Sequence, residues 1–143
     1  MILVFGSLNV DLVVRVKALP RPGETVLGPS YDVVAGGKGA NQALAAARAG
    51  AETAMVGAVG SDDFAKTALA ELEIAGVDLE GVARQGPRTG AAFITVDRKG
   101  ENECRAWPRN QSHRQVPIAG SSRSAVVLLF LTGEVNKPDR EVA

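Results

Sequence analysis

Cysteine, net charge and long apolar runs are what this sequence has least of. Cys104 is the one cysteine in 143 residues, so no internal disulfide forms, and 16 Lys and Arg balance 16 Asp and Glu. Nucleic acids and anionic membranes attract proteins with an excess of basic residues. This chain has no such excess, so its charge gives no reason to expect either partner. No apolar run approaches the roughly 20 residues that cross a bilayer, and no basic segment of a secretory signal is present. We therefore expect a cytoplasmic protein whose ligand is a small metabolite.

Short apolar runs alternate with alanine-rich stretches, and this order is typical of an α/β fold with a mainly parallel sheet. Buried strands are predicted at residues 2–5, 53–59 and 126–131, and helices at residues 40–49 and 62–75. The second helix would carry acidic residues in its first turn, where their negative charge interacts favourably with the positive end of the helix dipole. Gly50 and Gly76 follow the two helices, as expected of C-terminal caps.

Residues outside this alternation predict strands that do not belong to the main sheet. Segments 10–19 and 24–34 mix apolar and polar residues and are predicted as a hairpin, joined by a turn at residues 20–23. Residues 89–97 are predicted as a further strand, followed by a turn. From 104 to 125 there are four arginines and no acidic residue, and the pattern assigns neither helix nor strand to that stretch.

The strongest local signal is a glycine-rich turn, Gly36-Gly37-Lys38-Gly39, placed directly before the first predicted helix. Glycines let a ligand approach the backbone, and a helix start offers N–H donors and the positive end of the dipole. The spacing matches neither a P-loop nor a dinucleotide fingerprint. A tight connection that needs positive φ would explain one or two of the glycines, but three of four positions less well. A polar, hydroxyl-rich ligand is the favoured interpretation.

Asn9 and Asp11 follow the first predicted strand, where open α/β sheets bind their ligands. Their spacing places both side chains on one side of an extended chain. Because Asp only accepts hydrogen bonds and Asn both donates and accepts, the pair can hold vicinal hydroxyls. A turn that closes the strand would explain them equally well. Glu134 follows the strand predicted at 126–131 and would either face the same crevice or be a solvated loop acid.

These segments together resemble the ribokinase-like (PfkB) family of carbohydrate kinases. The resemblance rests on GSLNVD at 6–11, PRPGET at 20–25 and GGKGANQA at 36–43, with Gly50 and Gly60 at the family's spacing. It implies a central α/β sheet and a small β-lid over the sugar, formed by residues 10–34 and 89–107, which often makes the dimer contact. Lys38 and its neighbours imply ribose as the sugar.

Roles for individual residues are also implied by the resemblance. The implied sugar-binding residues are Asn9, Asp11, Gly36, Gly37, Lys38, Asn41 and Glu134. In the family, ATP, Mg²⁺ and K⁺ are handled by the C-terminal half, where a Gly-Ala-Gly-Asp motif supplies the catalytic aspartate. That motif is absent from these 143 residues. We therefore expect no catalytic residue, no metal site and no nucleotide binding in this chain alone.

The sequence thus predicts residues 1–143 as the N-terminal, sugar-binding part of a ribokinase-like domain: a partial, doubly wound α/β sheet with a β-lid, without the C-terminal half. The whole enzyme would phosphorylate ribose at its primary hydroxyl with ATP. The alternatives are a kinase for another sugar or nucleoside, such as fructose or adenosine, a non-catalytic sugar-binding module, or a pseudogene product. Residues 104–125 depart from the family pattern in the way that a local reading-frame error would produce. A homodimer through the lid strands is the expected assembly.

Overall fold

The computed structural model of the protein describes residues 1–107 and 126–128. Within them, eight strands form two four-stranded sheets, and two helices accompany them. The elements in chain order are β1 Ile2–Phe5, β2 Asn9–Arg15, β3 Tyr31–Gly36, α1 Lys38–Arg48, β4 Thr53–Val59, α2 Phe64–Ile74, β5 Val82–Arg84, β6 Gly90–Val96, β7 Asn102–Trp107 and β8 Val126–Leu128.

The main sheet has the strand order β5-β4-β1-β8, and every pair in it is parallel. Its two central strands, β1 and β4, coincide with the strands predicted at 2–5 and 53–59. The strand predicted at 126–131 is confirmed over 126–128, and its remainder lies outside the described residues. The edge strand β5 is an addition, because three residues are too few to show a period. The predicted α/β class is confirmed.

Alanine-rich faces of the two helices form the core with the main sheet. Ala43 of α1 and Leu72 of α2 lie in one buried cluster with Met55 of β4. The predicted caps are confirmed: Gly50 and Gly76 have φ of 88° and 72° just past the helix ends. Each helix has 11 residues, and within the described part of the chain none is long and apolar enough to cross a membrane.

The start of α2 differs from the prediction. The helix begins at Phe64, so its first turn holds no acidic residue. Asp63 occupies the N-cap position without a side-chain cap bond, and its carboxylate instead accepts a hydrogen bond from Lys66 Nζ at 3.0 Å. Asp62 lies before the helix, and its carboxylate accepts hydrogen bonds from Thr89, 27 residues further along the chain.

A second sheet, of order β3-β2-β6-β7, contains the strands predicted outside the main sheet. Its antiparallel pair β2–β3 is shorter than the predicted hairpin, because the chain leaves this pairing at Val16, whose N–H donates to Val96 O. The predicted turn at 20–23 lies within the longer connection of residues 16–30. Residues 104–107, left unassigned from the sequence, belong to β7, which pairs antiparallel with β6. Residues 108–125 lie outside the described residues.

Candidate functional site

Asn9, Asp11, Gly36 and Gly37 lie where the two sheets meet, beyond the carboxyl end of β1. The chain leaves β1 of the main sheet at Phe5 and begins β2 of the second sheet at Asn9. The parallel neighbour of β2 is β6, and its first residue, Gly90, is the register partner of Asn9. Open α/β sheets bind ligands at the carboxyl ends of their strands. The starts of β2 and β6 therefore form one wall of a position suited to a ligand.

Asp11 of β2 and Gly36 of β3 are in direct contact. β3 runs antiparallel to β2, with Gly36 opposite Asn9 and Val34 opposite Asp11. A Cβ atom placed on Gly36 would lie 2.5 Å from the Asp11 carboxylate, closer than real Cβ atoms approach any neighbour. The carboxylate thus packs directly against the Gly36 backbone. Only glycine at position 36 allows Asp11 this placement.

The surroundings of Asp11 make its carboxylate a strong acceptor. Its register partners on the two neighbouring strands are the apolar residues Val34 and Ala92. Burial raises the pKa of the Asp11 carboxyl above its ordinary value. In the described part of the chain, no lysine or arginine forms an ion pair with Asp11. A partly desolvated carboxylate gains more from hydroxyl donors than one in water does.

Ser7 caps helix α1 from the other side of the site. The Lys38 N–H donates to Ser7 Oγ and the Ala40 N–H to Ser7 O, both at 3.1 Å. The turn before them needs Gly37, which has a φ of 102° and whose Cβ would meet Ser7 O at 2.5 Å. Two of the N–H donors that a helix start offers are therefore used inside the protein. The sequence had predicted that they face a ligand.

All three glycines of the turn have a packing reason. Gly36 supports Asp11, Gly37 has positive φ, and a Cβ on Gly39 would lie 2.7 Å from the backbone of Gly6. The tight-connection explanation, judged too weak for three glycines, accounts for each of them. The glycines alone therefore do not indicate a ligand, and the case for one depends on Asp11 and its neighbours.

The side chains of Lys38 and Asn41, two other predicted site residues, do not belong to this close-packed group. Lys38 and Asn41 are both exposed on the first turn of α1, three residues apart and thus neighbours on the helix surface. Glu134 lies outside the described residues. The structure therefore brings Asn9, Asp11, Gly36 and Gly37 together by backbone pairing and close packing. The Lys38 backbone joins them through its bond to Ser7.

The sequence analysis assigned no role to Ser7, Asp62 or Thr89. Thr89 Oγ1 donates to Asp62 Oδ1 at 2.6 Å, and the Thr89 N–H donates to Asp62 Oδ2 at 3.0 Å. Burial raises the pKa of Asp62, but the hydrogen bonds from Thr89 and from the backbone of Asp62 and Ala65 together outweigh it and leave that pKa below the ordinary value. Each of these contacts joins residues 27 or more positions apart, so no local spacing could indicate it.

The described residues do not fit the groups that the family resemblance implies for phosphoryl transfer. Among them, no three His, Cys, Asp or Glu side chains are grouped as ligands of a metal ion such as Mg²⁺. The first amides of α1, a common place for phosphate groups, are bonded to Ser7. No role in holding ATP or Mg²⁺ is therefore assigned to these residues.

Replacing Ser7 by alanine should lower the free energy of unfolding by about 1 kcal/mol, because the Lys38 N–H loses its cap. Equilibrium urea unfolding measures the change. Ser30, exposed in the 16–30 connection, supplies the control Ser30→Ala, which should unfold as the wild type does. Identical unfolding curves for Ser7→Ala and the wild type would contradict the capping role.

The chain is similar to known proteins both in sequence and in structure. The model of the family described as "pfkB family carbohydrate kinase" matches residues 1–127. Ribokinase from Haemophilus influenzae is 37% identical over 124 residues, covering 86% of this chain and 40% of that protein. The crystal structure of Thermotoga maritima ribokinase aligns with a TM-score of 0.69 and 37% identity, over 75% of this chain and 36% of the other.

A further solved structure is that of Arabidopsis thaliana ribokinase complexed with ribose and ATP. It aligns with a TM-score of 0.65 and 34% identity, over 74% of this chain and 35% of that one. This chain therefore spans less than half the length of each of these relatives.

Fold and site together define an α/β protein in which a second four-stranded sheet carries polar residues beyond the carboxyl end of the main sheet. With a family model that matches most of its length, the chain belongs to the pfkB family of carbohydrate kinases. Kinases of this family are transferases.

Proposed function

We propose that this chain forms the sugar-binding part of a ribokinase-type enzyme, which transfers the γ-phosphoryl group of ATP to the primary hydroxyl of ribose. The observation that carries the proposal is the placement of the Asp11 carboxylate on the backbone of Gly36, next to Asn9. Relatives named ribokinase, one of them solved with ribose and ATP, support ribose as the sugar.

The proposed site binds the sugar through its hydroxyl groups. Asp11 accepts hydrogen bonds from two neighbouring hydroxyls, and Asn9 donates and accepts beside it. Gly36 and Gly37 border the sugar in this proposal: Gly36 leaves room for the Asp11 carboxylate, and Gly37 leaves room for the backbone of Ser7. The side chains of Lys38 and Asn41, exposed on the first turn of α1, complete the polar wall. Glu134 belongs to the same proposal through the family resemblance alone.

We also propose that these 143 residues bind sugar without phosphorylating it. Phosphoryl transfer needs groups that neutralise the transferring phosphate and a carboxylate that orients the attacking hydroxyl. In support, no three His, Cys, Asp or Glu side chains of the described residues are grouped as metal ligands, and the first amide of α1 is bonded to Ser7. Ribose-dependent formation of ADP by the purified chain, free of contaminating kinase, would contradict this part of the proposal.

The proposed function is tested by thermal unfolding of the chain with ribose, fructose, adenosine, and ATP with Mg²⁺. Ribose should raise the melting temperature in proportion to the logarithm of its concentration above Kd, and ATP with Mg²⁺ should not. A larger rise with fructose or adenosine would favour a kinase for that compound. No rise with any of them would overturn the sugar site.

We further propose that the second sheet forms a homodimer contact in the cytoplasm. Tyr31 and Val33 of β3 share one face of this sheet with Phe93 of β6, and Tyr31 is 63% and Phe93 51% exposed. Apolar side chains grouped on an exposed face mark interaction surfaces more often than single ones do. Sedimentation analysis should show a dimer that Tyr31→Lys converts to a monomer; a monomeric wild type would exclude the contact.

A further inference from the structure

Two segments, the loop after β4 and the chain before β6, meet at the buried Thr89 hydroxyl near the carboxyl end of β4. The Gly60 N–H, directly after β4, donates to Thr89 Oγ1 at 2.9 Å, and this hydroxyl in turn donates to Asp62 Oδ1 at 2.6 Å. The Thr89 N–H donates to Asp62 Oδ2 at 3.0 Å. Thr89 is only 6% exposed. We call these three residues, Gly60, Asp62 and Thr89, the clamp.

The segments of the clamp approach each other as closely as backbone allows. A Cβ placed on Gly60 would lie 2.2 Å from the carbonyl carbon of Arg88 and 2.3 Å from the Thr89 nitrogen. Two of the three hydrogen bonds end on a carboxylate, and such bonds are about twice as strong as neutral ones. The clamp therefore attaches the chain before β6 to the main sheet by packing and hydrogen bonds at once.

The clamp is one residue away from the wall of the proposed sugar site. β6 begins at Gly90, directly after Thr89, and it is the parallel neighbour of β2. Gly90 lies opposite Asn9, and Ala92 lies opposite Asp11. β2 is itself joined to the main sheet through the short segment after β1. The start of the β2–β6 pair is thus connected to the main sheet through the Gly6–Leu8 segment and through the clamp, in addition to the packing of Val10 in the core.

We propose that Asp62 and Thr89 are positioning residues for ribose: they fix the start of β6, and with it Asn9 and Asp11, relative to the main sheet. The inference rests on the proposed sugar binding. The clamp residues act through β6 and need not touch the sugar. Loosening the clamp should leave the fold in place and weaken ribose binding, because sugar contacts depend on the position of the β2–β6 pair.

The test replaces the Thr89 hydroxyl by a methyl group in the full chain. Thr89→Val keeps the shape and removes two hydrogen bonds, and Thr89→Ser restores the hydroxyl. Ribose affinity, measured by calorimetry well below the melting temperature, should fall about tenfold in Thr89→Val and return to within about twofold in Thr89→Ser. Thr95→Val, the same substitution further along β6, is the control and should bind ribose as the wild type does.

Amide hydrogen exchange provides a readout that a merely structural role would not give. In Thr89→Val, the amides of Asn9 and Gly90 should exchange faster, while those of β1 and β4 keep their rates. A uniform increase in all strands would indicate general destabilisation and overturn the positioning role. If Thr89→Val does not fold, Asp62→Asn, which keeps the shape and removes the charge, takes its place with the same expectations.

The outcomes separate this inference from the function on which it rests. If the wild type binds ribose and Thr89→Val binds it equally well, the positioning role is wrong and the sugar site stands. If the wild type does not bind ribose, the sugar site fails. Hydrogen exchange then decides alone: faster exchange confined to Asn9 and Gly90 supports positioning of the β2–β6 pair, and unchanged exchange contradicts it.

Discussion

Replacing Gly37 by alanine is expected to lower the free energy of unfolding by at least about 3 kcal/mol, since two costs add. The backbone of Gly37, with a φ of 102° and a ψ of 130°, lies outside the left-handed helical region, and other residues adopt such a conformation only at a cost of about 1–3 kcal/mol. The new Cβ would also lie 2.5 Å from Ser7 O and 3.1 Å from the Asn9 nitrogen. The segment between β1 and β2 would have to shift, so ribose binding should fall as well. Urea unfolding and calorimetry measure the two effects.

Gly50 supplies a control for the cost of placing alanine at a positive φ. Its φ of 88° is similar, but no atom lies within 4 Å of the position of a Cβ. Gly50→Ala should therefore cost about 1–2 kcal/mol, with unchanged ribose affinity in the folded chain. Equal losses of stability in the two variants would show that the approach of Gly37 to Ser7 contributes nothing, contrary to the packing described here.

The main sheet could be predicted because each of its elements carries its own signal. β4 is an apolar run that is largely buried, β1 is an apolar run that is buried or half-buried, and helices α1 and α2 are each followed by a glycine with positive φ. Such signals are local and do not depend on partners elsewhere in the chain. The bounds of α1 and α2 accordingly differ from the predicted ones by no more than two residues at either end.

The second sheet was harder to predict because its strands are less buried. β7 pairs with β6 alone, and the described side chains in it are exposed or only half-buried, from Asn102 to Arg105. A strand of this kind has no apolar face to reveal a period of two. The β2–β3 bounds were wrong for a related reason: the 16–30 connection contains apolar residues, such as the exposed Leu27, that mimic strand positions.

The contacts that shape the site are of a third kind, between residues far apart in sequence. Asn9 and Asp11 could be predicted as candidates because they follow the first strand, but their contact with Gly36 depends on how β2 and β3 pair. The Ser7 cap likewise joins residues 31 positions apart. Residue types and spacing therefore indicated candidates for the site, and only the fold shows which contacts hold those residues in place.

Replacing Asp11 by asparagine is expected to weaken ribose binding by roughly 10- to 100-fold, corresponding to the loss of about 1.5–3 kcal/mol from hydrogen bonds to a charged acceptor. Asparagine keeps the shape beside Gly36, so the loss would report the charge and not the packing. Asp32→Asn, an exposed acid on the neighbouring strand β3, should bind ribose as the wild type does. Unchanged affinity in Asp11→Asn would remove Asp11 from the sugar site.

The same substitution should increase stability at neutral pH. Burial raises the pKa of Asp11 in the folded chain, so between its ordinary and its raised value the folded state binds more protons than the unfolded state. The free energy of unfolding therefore falls as pH rises through that window, and above it the ionised carboxylate destabilises the fold. Asparagine does not ionise, so Asp11→Asn should lack this fall. Urea unfolding at several pH values between about 4 and 7 measures it.

Opposite signs for the two effects of Asp11→Asn would distinguish a binding residue from a structural one. Removing the charge of a carboxylate that stabilises the fold would lower the free energy of unfolding, whereas a carboxylate kept for a ligand lowers that free energy until the ligand binds. Lower stability and unchanged ribose affinity would thus assign Asp11 to the strand ends alone. Higher stability with weaker ribose binding would mean that the Gly36 contact holds a partly desolvated charge in place for the sugar hydroxyls.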